Sequence, residues 1–570
     1  MKDKRNKTGR KGSALLVVLF IVMAITILSL GFLSRSDVEL ACGENMILRT
    51  QMDYLAESGL EHARGLILNP QDVNSEYWSG DVRQQLATGS NDYYDVNVVK
   101  DVNGECNYRI TCDAYRRKNG EKIGQSSLTA ELRLNPCIAL WTGSNITLSS
   151  GVAVNGDVRC NGTLTNLGTI NGDVFASSLS GSISGQRKAV GDLSLSRPCV
   201  TVGDFTTRYT VETIGSGNLA GGTRLPISGA QVCYRNGNLV LEGGVQIDGM
   251  LVVNGNLTVQ GNGNVVTAAK NLPAILVKGN VVVKNGGGLN VSGLMTVDGW
   301  MQIGTGISGM SILGGLFVAG GITEKTVDSS GNENTGTLYN GPTCRGSGGQ
   351  VGGAFEFDGV NDYVQTVNDP NKLQLTGDYT LGVWIKADAS QKSWAGIFSK
   401  CGPSGSTNHW TLQFDSSSPQ KLIIYHPSGI WDTGIRLNNV AGAWHNIRIV
   451  RSGSTMKSYL DSVEIRNNTW ANNPGSGNGR LNIGVDRTAT SNYVYKGLID
   501  DILIYNRAPG AGETYPSSGL VGHWKLDEGG SNISITAAPT KTAIVVWSAA
   551  GAQEKWGQAG GAFFKSIERK

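Results

Sequence analysis

Four tryptophans and three aspartates carry the most usable chemistry in this 570-residue sequence. Trp394, Trp410, Trp431 and Trp470 fall near loop-forming stretches, where an aromatic face can stack on the apolar side of a sugar ring. Inside strands the same residues would instead be core. Asp358, Asp362 and Asp501 offer hard carboxylate oxygens, which calcium takes several at a time. Glycoside hydrolysis needs two carboxyls about 5–9.5 Å apart across one bond. Glu356 and Asp358 stand at i and i+2, on one face of a strand. No third acid completes them, and Asp358 reads as part of the turn F-D-G-V-N-D, so no catalytic residue is assigned. His62, His409, His426, His445 and His523 lack metal-ligand spacing, and His62 belongs to the solvated face of a helix. No CxxC pair or G-x-x-x-x-G-K-[ST] loop occurs.

The elements that must position these residues follow from composition. At this length three or four domains are expected. Glycine numbers 79 against 14 prolines, about twice the usual glycine share, and charged residues are only 17%. This excludes a solvated disordered chain and a long coiled coil. A net charge of +3 gives no case for nucleic acid, and the charge is uneven, because six of the first eleven residues are Lys or Arg. Nine cysteines leave at least one thiol over if disulfides form. Cys106 and Cys112 cannot pair along one straight strand, which would separate them by roughly 20 Å.

Residues Ala14 to Leu33 carry no charge, enough helix to cross about 30 Å of hydrocarbon. The basic cluster before them would stay cytoplasmic, so the bulk of the chain is exported. Leu48, Met52, Leu55, Gly59, Ala63 and Leu66 then recur at spacings of three and four, an amphipathic stripe. One helix is therefore expected from about 13 to 68, roughly 80 Å long, stopped by Asn69-Pro70. Tyr108, Ile110, Cys112 and Ala114 alternate with polar neighbours, as do Leu128, Ala130, Leu132 and Leu134, with Asn119-Gly120 as a hairpin turn between them.

A basic leader ending in glycine, an apolar half-helix and an amphipathic half-helix together resemble a type IV pilin N-terminus. The stretch NMILRTQMDYLAESGL, with Ala56-Glu57-Ser58-Gly59, is similar to minor pilins and pseudopilins of the PilX/GspK type. The resemblance implies cleavage between Gly12 and Ser13 by a prepilin peptidase and a methylated Ser13. Its further implications are other pilin-like subunits as partners and a single pass through a bacterial inner membrane. The fifth mature position is Val17, where major pilins carry glutamate. A carboxylate in lipid is costly unless paired, so its absence suits a tip or initiating subunit.

From Ile138 to Ile322 short β-branched runs are broken by glycine, at 244, 249, 255, 261, 279, 288, 293, 299 and 304 among others. That spacing suits the short strands and corners of a parallel β-solenoid. The I-N-G-D-V and V-x-G-x-L patterns are similar in style to bactofilin-like, polymer-forming repeats. Further on, DSSGNENTGTLYNGP, GQVGGAFEFDGVNDYVQ, LTGDYTLGVWIKAD, WHNIRIVRSGSTMKSYLDSVEI and YKGLIDDILIYNRA resemble the LamG-like jelly roll of the concanavalin A-like lectin/glucanase fold over about 180 residues. Tyr379, Leu381, Val383 and Ile385 alternate with Thr380, Gly382, Trp384 and Lys386, as a half-buried strand does. Glucanases on this fold carry an E-x-D-x-x-E run, absent here. Some relatives bind calcium, which would fall to the three aspartates. GLVGHWKLDEGG at 519–530 looks like a module opener placed after the closing strand. It predicts a truncated second copy, with pairing back onto the first sandwich as the alternative, and Leu316-Phe317-Val318 as a decayed opener.

The fold expected is mainly β: a pilin-like helix with a small sheet, a solenoid-like middle and a jelly roll. The divisions are 1–12 leader, 13–34 transmembrane half-helix, 35–137 pilin-like domain, 138–322 solenoid, 323–510 jelly roll and 511–570 partial second repeat. The function expected is a non-catalytic envelope protein of a type IV pilus or type II secretion-like assembly, adhering to a glycan or surface protein through the jelly roll. An anchored glycan hydrolase and a polymer-forming scaffold are the alternatives. No cofactor is assigned with certainty, and calcium in the jelly roll is the candidate.

Overall fold

A computed structural model describes the chain outside residues 1–10, 69–76, 101–106, 135–136, 193–199, 271, 346–347, 367–372, 403–409, 427, 473–478, 489–490, 527–531, 538–543, 549–550, 557–561 and 570. Most of the leader and the Asn69-Pro70 stop thus lie outside the described residues.

One helix runs from Lys11 to Leu68, close to 90 Å at 1.5 Å per residue. Its apolar first half is exposed, and Ala14–Ile67 contains a stretch long and apolar enough to cross a membrane. Its second half buries Met52, Leu55, Ala56, Leu60, Ala63 and Ile67 against an antiparallel sheet of Gly80–Gln84, Asp92–Lys100, Asn107–Lys118 and Glu121–Leu134. The predicted alternation holds: Tyr108, Ile110, Cys112, Ala114, Leu128, Ala130 and Leu132 all face the helix with at most 1% exposure. Cys112 is a reduced, buried thiol, its pKa pushed up to about 12 first by burial and then by Asp113 and Asp95. His62 is not on the solvated face. Its Nδ1 lies 3.1 Å from the Tyr94 hydroxyl, and its ring packs at 5.5 Å from Trp78.

The middle is a parallel solenoid. In one column Leu239, Leu257, Val281, Met301 and Ile322 stack coil on coil. The corners are Gly-Asn because the coils nearly touch: a Cβ on Gly255, Gly279 or Gly299 would lie within 2.5–2.7 Å of the preceding coil's backbone. The asparagines then join the coils. Asn238 Oδ1 accepts the Asn256 N–H at 2.9 Å, Asn256 Oδ1 that of Asn280 at 2.8 Å, and Asn280 Oδ1 that of Trp300 at 3.0 Å.

The path through this solenoid is not sequential. The chain enters in the middle at Ile138–Thr142 and winds one way through Asp157–Cys160 and Val174–Phe175 to Arg187–Lys188. It then restarts at the opposite end, Val211–Thr213, and winds back until Leu316–Val318 pairs with Leu140, Trp141 and Thr142. Val200 and Phe205, on the connection, pack on the outer face over Trp141, Val252 and Phe317. Leu316-Phe317-Val318 is therefore a solenoid strand, not a decayed jelly-roll opener.

The jelly roll has two facing sheets. One contains Gly336–Tyr339, Tyr363–Thr366, Arg480–Ile483, Gly396–Cys401, Trp410–Phe414, Lys421–His426 and Gly429–Arg436, and it continues the solenoid sheet through Ile322–Thr326. The other contains Ala354–Asp358, Lys496–Tyr505, Tyr379–Ala387, His445–Ser452, Thr455–Leu460 and Val463–Thr469. Tyr379, Leu381, Val383 and Ile385 point into the core between them.

The expected partial second repeat over 511–570 is corrected here. Leu520–Trp524 pairs antiparallel with the closing strand Lys496–Tyr505 of the first sandwich, and Trp524 is fully buried in its core. Asp328 accepts the His523 N–H at 2.9 Å, and Trp524 Nε1 donates to Asn334 O at 3.0 Å. Both bonds dock the opening loop onto the late strand. Ile533–Thr536 then fills a gap in the solenoid between Gly309–Leu313 and Val152–Asn155. Ala562–Arg569 pairs with Glu121–Leu134 of the first sheet. The physical reason is edge satisfaction, since each of these strands covers hydrogen-bonding groups that a separate, incomplete sandwich would leave open.

Candidate binding site

The predicted residues separate by strand parity. Trp410 is fully buried, edge-on to Phe398 at 6.0 Å. Trp431 is 2% exposed, with Nε1 donating to Asn468 Oδ1 at 2.8 Å. Trp470 packs partly buried against the same core. Trp410 and Trp431 are core, not sugar platforms, while Trp470 stays half-buried at its edge. Trp394 is half-buried, and its ring meets Tyr425 edge-on at 6.4 Å. Its φ of +64° is unusual for so bulky a residue, a local strain of the kind that collects at functional sites.

The three aspartates do not form a calcium cage. Asp358 Oδ1 accepts the Val360 N–H at 2.7 Å, and Asp362 Oδ2 accepts the Asp358 N–H at 3.1 Å, so both serve the turn. Burial pushes Asp362 up to about 7, with the neighbouring Asp358 charge adding to it. Asp501 is held instead by His523 Nε2, 2.7 Å away. Among the described residues no group of three His, Cys, Asp or Glu side chains could hold a metal ion. Glu356 is taken by Arg345, whose Nε donates to it at 2.6 Å.

What the fold does assemble is a polar row across the jelly-roll sheet, on the face turned away from its core. The registers bring Thr337, Gln365, Asn482, Ser399, Thr411 and Tyr425 into one cross-strand line. Gln365 Nε2 donates to Asn482 Oδ1 at 2.9 Å, and Asn482 Nδ2 to Ser399 Oγ at 3.3 Å. The centre of the row is covered by the segment around Asp486. Ser399 Oγ donates to Asp486 O at 2.5 Å and Thr411 Oγ1 to Asp486 Oδ1 at 2.6 Å. Gly396 permits this approach, since a Cβ there would meet Asp486 N at 2.3 Å.

Two ends of the face stay accessible. At the far end stand Trp394 and Tyr425. At the end nearest the solenoid, Tyr339 and Tyr363 stack at 4.8 Å with an 11° interplanar angle, and Arg480 Nη1 donates to Gln365 Oε1 at 2.9 Å. Aromatic faces flanked by amide, hydroxyl and guanidinium groups can stack on and hydrogen-bond a polyhydroxylated ligand. Sequence reasoning missed this row. Its signal was present in alternations such as Trp410-Thr411-Leu412-Gln413-Phe414, where the polar members share the outer face.

Among solved structures, domain 4 of AbnA, a GH43 extracellular arabinanase from Geobacillus stearothermophilus, is similar at 18% identity over 36% of this chain and 96% of that one, with a TM-score of 0.24. The carbohydrate-binding module CBM66 from Bacillus subtilis is similar at 12% identity over 27% and 84%, TM-score 0.17. The SAP-like pentraxin of Limulus polyphemus is similar at 11% over 37% and 96%, TM-score 0.20. No curated protein matches the chain. Residues 358–513 match the profile of the concanavalin A-like lectin/glucanases superfamily, and this part of the chain is a domain of that lectin/glucanase fold.

Proposed function

We propose that this chain is a non-catalytic, membrane-anchored envelope protein of a type IV pilus or type II secretion-like assembly, which binds a glycan through the outer face of its jelly roll. The observation that carries the binding reading is the pairing of aromatic platforms, Tyr339–Tyr363 and Trp394–Tyr425, with a polar cross-strand row on a lectin/glucanase-type sandwich. The anchor reading rests on the exposed apolar stretch of the long helix and on the basic residues that precede it. In this reading the solenoid is a spacer that holds the jelly roll away from the membrane. The partners are the inner membrane, other pilin-like subunits and a prepilin peptidase.

The expected result on a printed glycan array is binding of the full chain in detergent micelles, with no reducing sugar released on prolonged incubation. Released product would turn the reading toward the hydrolase, and a blank array would end it. For the anchor, mass spectrometry of protein from its native membrane should find an N-methylated Ser13 as the first residue. An intact leader starting at Met1 would remove the pilin connection and leave the glycan reading untouched.

A further inference from the structure

The polar row on the outer face of the jelly roll does not stop at Thr337. Lys325, on the last solenoid strand Ile322–Thr326, pairs with Thr337, as Thr337 does with Gln365 and Gln365 with Asn482. Residues directly opposite one another in a ladder share a face of the sheet, so Lys325 begins the row. Parity on the same strands gives the same side: Thr326 and Val364 are fully buried, and a Cβ on Gly336 would meet both. Glu324 has the opposite parity to Lys325, and its Oε1 accepts from Ser149 Oγ at 2.8 Å.

This end of the row holds two cations. Lys325 is half-buried, and its ammonium makes no hydrogen bond or ion pair among the described residues. Burial lowers its pKa, with no neighbouring charge to offset the loss. Arg480, two residues from Asn482 on the same strand, is exposed, and its Nη1 donates to Gln365 Oε1 at 2.9 Å. It too meets no carboxylate among the described residues. Along the strands Arg480 lies to one side of Gln365 and the Tyr339–Tyr363 stack to the other. The guanidinium is close enough to pull down the Tyr363 hydroxyl pKa, which burial and Tyr339 raise. A cation that leaves water without a counter-ion is costly, and groups held in that state collect at functional sites. Two unpaired cations, an amide and a fixed aromatic pair on one face match a sugar that carries an acid group. Arg480 keeps Nε and Nη2 for the two oxygens of a carboxylate, and Lys325 supplies a point charge. The tyrosines offer an apolar surface to the CH face of the ring.

We infer that this end of the face binds an acidic sugar of a glycan, its acid group held by Lys325 of the solenoid together with Arg480 of the jelly roll. The inference rests on the glycan-binding reading above, names its ligand class, and makes the solenoid part of the site as well as a spacer.

The test is a glycan array printed with neutral, uronate-bearing, sialate-bearing and sulfated glycans and probed with the full chain in micelles. The parent should favour acidic glycans over neutral ones, more strongly at low salt than at high. The rank of the three acidic sets then identifies the acid group. Arg480→Gln and Lys325→Gln should each lower the acidic signal about tenfold, the loss of one charge-assisted hydrogen bond, and change the neutral signal by no more than about twofold. Lys118→Gln removes the same charge from the exposed hairpin of the first sheet. It should leave the acidic signal within about twofold, because a charge so far from the site is screened. Melting curves separate lost binding from lost folding. Lys325→Gln gives up an uncompensated charge and should melt no lower than the parent. Should it melt lower, Arg480→Gln, at an exposed position, decides the matter. Three results overturn the inference while leaving glycan binding intact: a parent that prefers neutral glycans, acidic binding that survives both variants, or a Lys118→Gln loss as large as theirs. A parent that binds no glycan removes the underlying reading as well.

Discussion

A chain ended after Ser518 should lose the cooperative melting of its jelly roll and, with it, the protease resistance of residues 138–188. The truncation removes Leu520–Trp524, whose Trp524 is fully buried and whose backbone carries one edge of the closing strand. It also strips Asp328 of the His523 N–H, and Asn334 O of the Trp524 indole N–H. Removal of Ile533–Thr536 then leaves Gly309–Leu313 and Val152–Asn155 with facing rows of unpaired backbone groups and takes Ile533 and Ile535 from the solenoid core. Point variants separate the two losses. Trp524→Ala should cost about 3–5 kcal/mol, the usual range for truncating a buried aromatic, and lower the jelly-roll transition alone. Ile535→Asp puts an unpaired charge in the solenoid core and should destabilise that module by several kcal/mol, leaving the jelly-roll transition in place. Calorimetry of the full chain in micelles, with limited proteolysis, reads both. A Trp524→Ala protein that melts like the parent would restore the view that 519–570 is the start of an independent second copy.

The second large effect is a loss of jelly-roll stability as pH rises from about 4 to about 7. Two buried carboxyls set the sign. Asp362 is pushed up to about 7 by burial and by Asp358. Asp500 is pushed up to about 6 by burial and the Asp501 charge, against the opposing pull of the Val351 and Gln350 N–H groups. In the unfolded chain both ionise near 3.9. Between that value and the folded value the native state holds a proton that the unfolded state has released, so stability falls with pH. The contribution is fully present below about 4 and is gone once pH passes the folded values. A shift of about three units at ~1.4 kcal/mol each limits the Asp362 share to ~4 kcal/mol. Asp362→Asn keeps a side-chain oxygen for the Asp358 N–H but cannot ionise. Its melting temperature should therefore exceed the parent's at pH 8, with the gap narrowing as pH falls and closing near pH 4. Parallel curves for the two proteins across that range would show that Asp362 titrates as it does in the unfolded chain.

The long helix and the sheet beneath it were legible because both depend on local periodicity. Leu55, Ala63, Ile110 and Leu128 bury their side chains wherever the neighbours come from, since spacing alone puts them on one face. The solenoid corners were legible for the same reason: Gly255 and Gly279 stand where only a missing Cβ lets coils approach. The sandwich was legible from its ordered strand motifs. The binding face was not. Gln365, Ser399, Thr411 and Asn482 come from four strands spread over more than a hundred residues, and no local pattern states the register that aligns them. The tryptophans misled because proximity to a loop says nothing of side-chain parity. Trp410 shares its strand face with Leu412 and Phe414 and is buried with them.

By itself, then, the order of residues determined an apolar helix long enough for a bilayer and the strand and coil periods, set by interactions between near neighbours in the chain, and it carried motifs that resemble a lectin-type sandwich. Only tertiary structure decided that the solenoid is entered in its middle and that strands of the last fifty residues join the jelly roll, the solenoid and the first sheet. Those outcomes rest on pairing free strand edges across hundreds of residues. That pairing follows from which backbone groups would otherwise lie unsatisfied, a quantity with no signature in any single stretch of sequence.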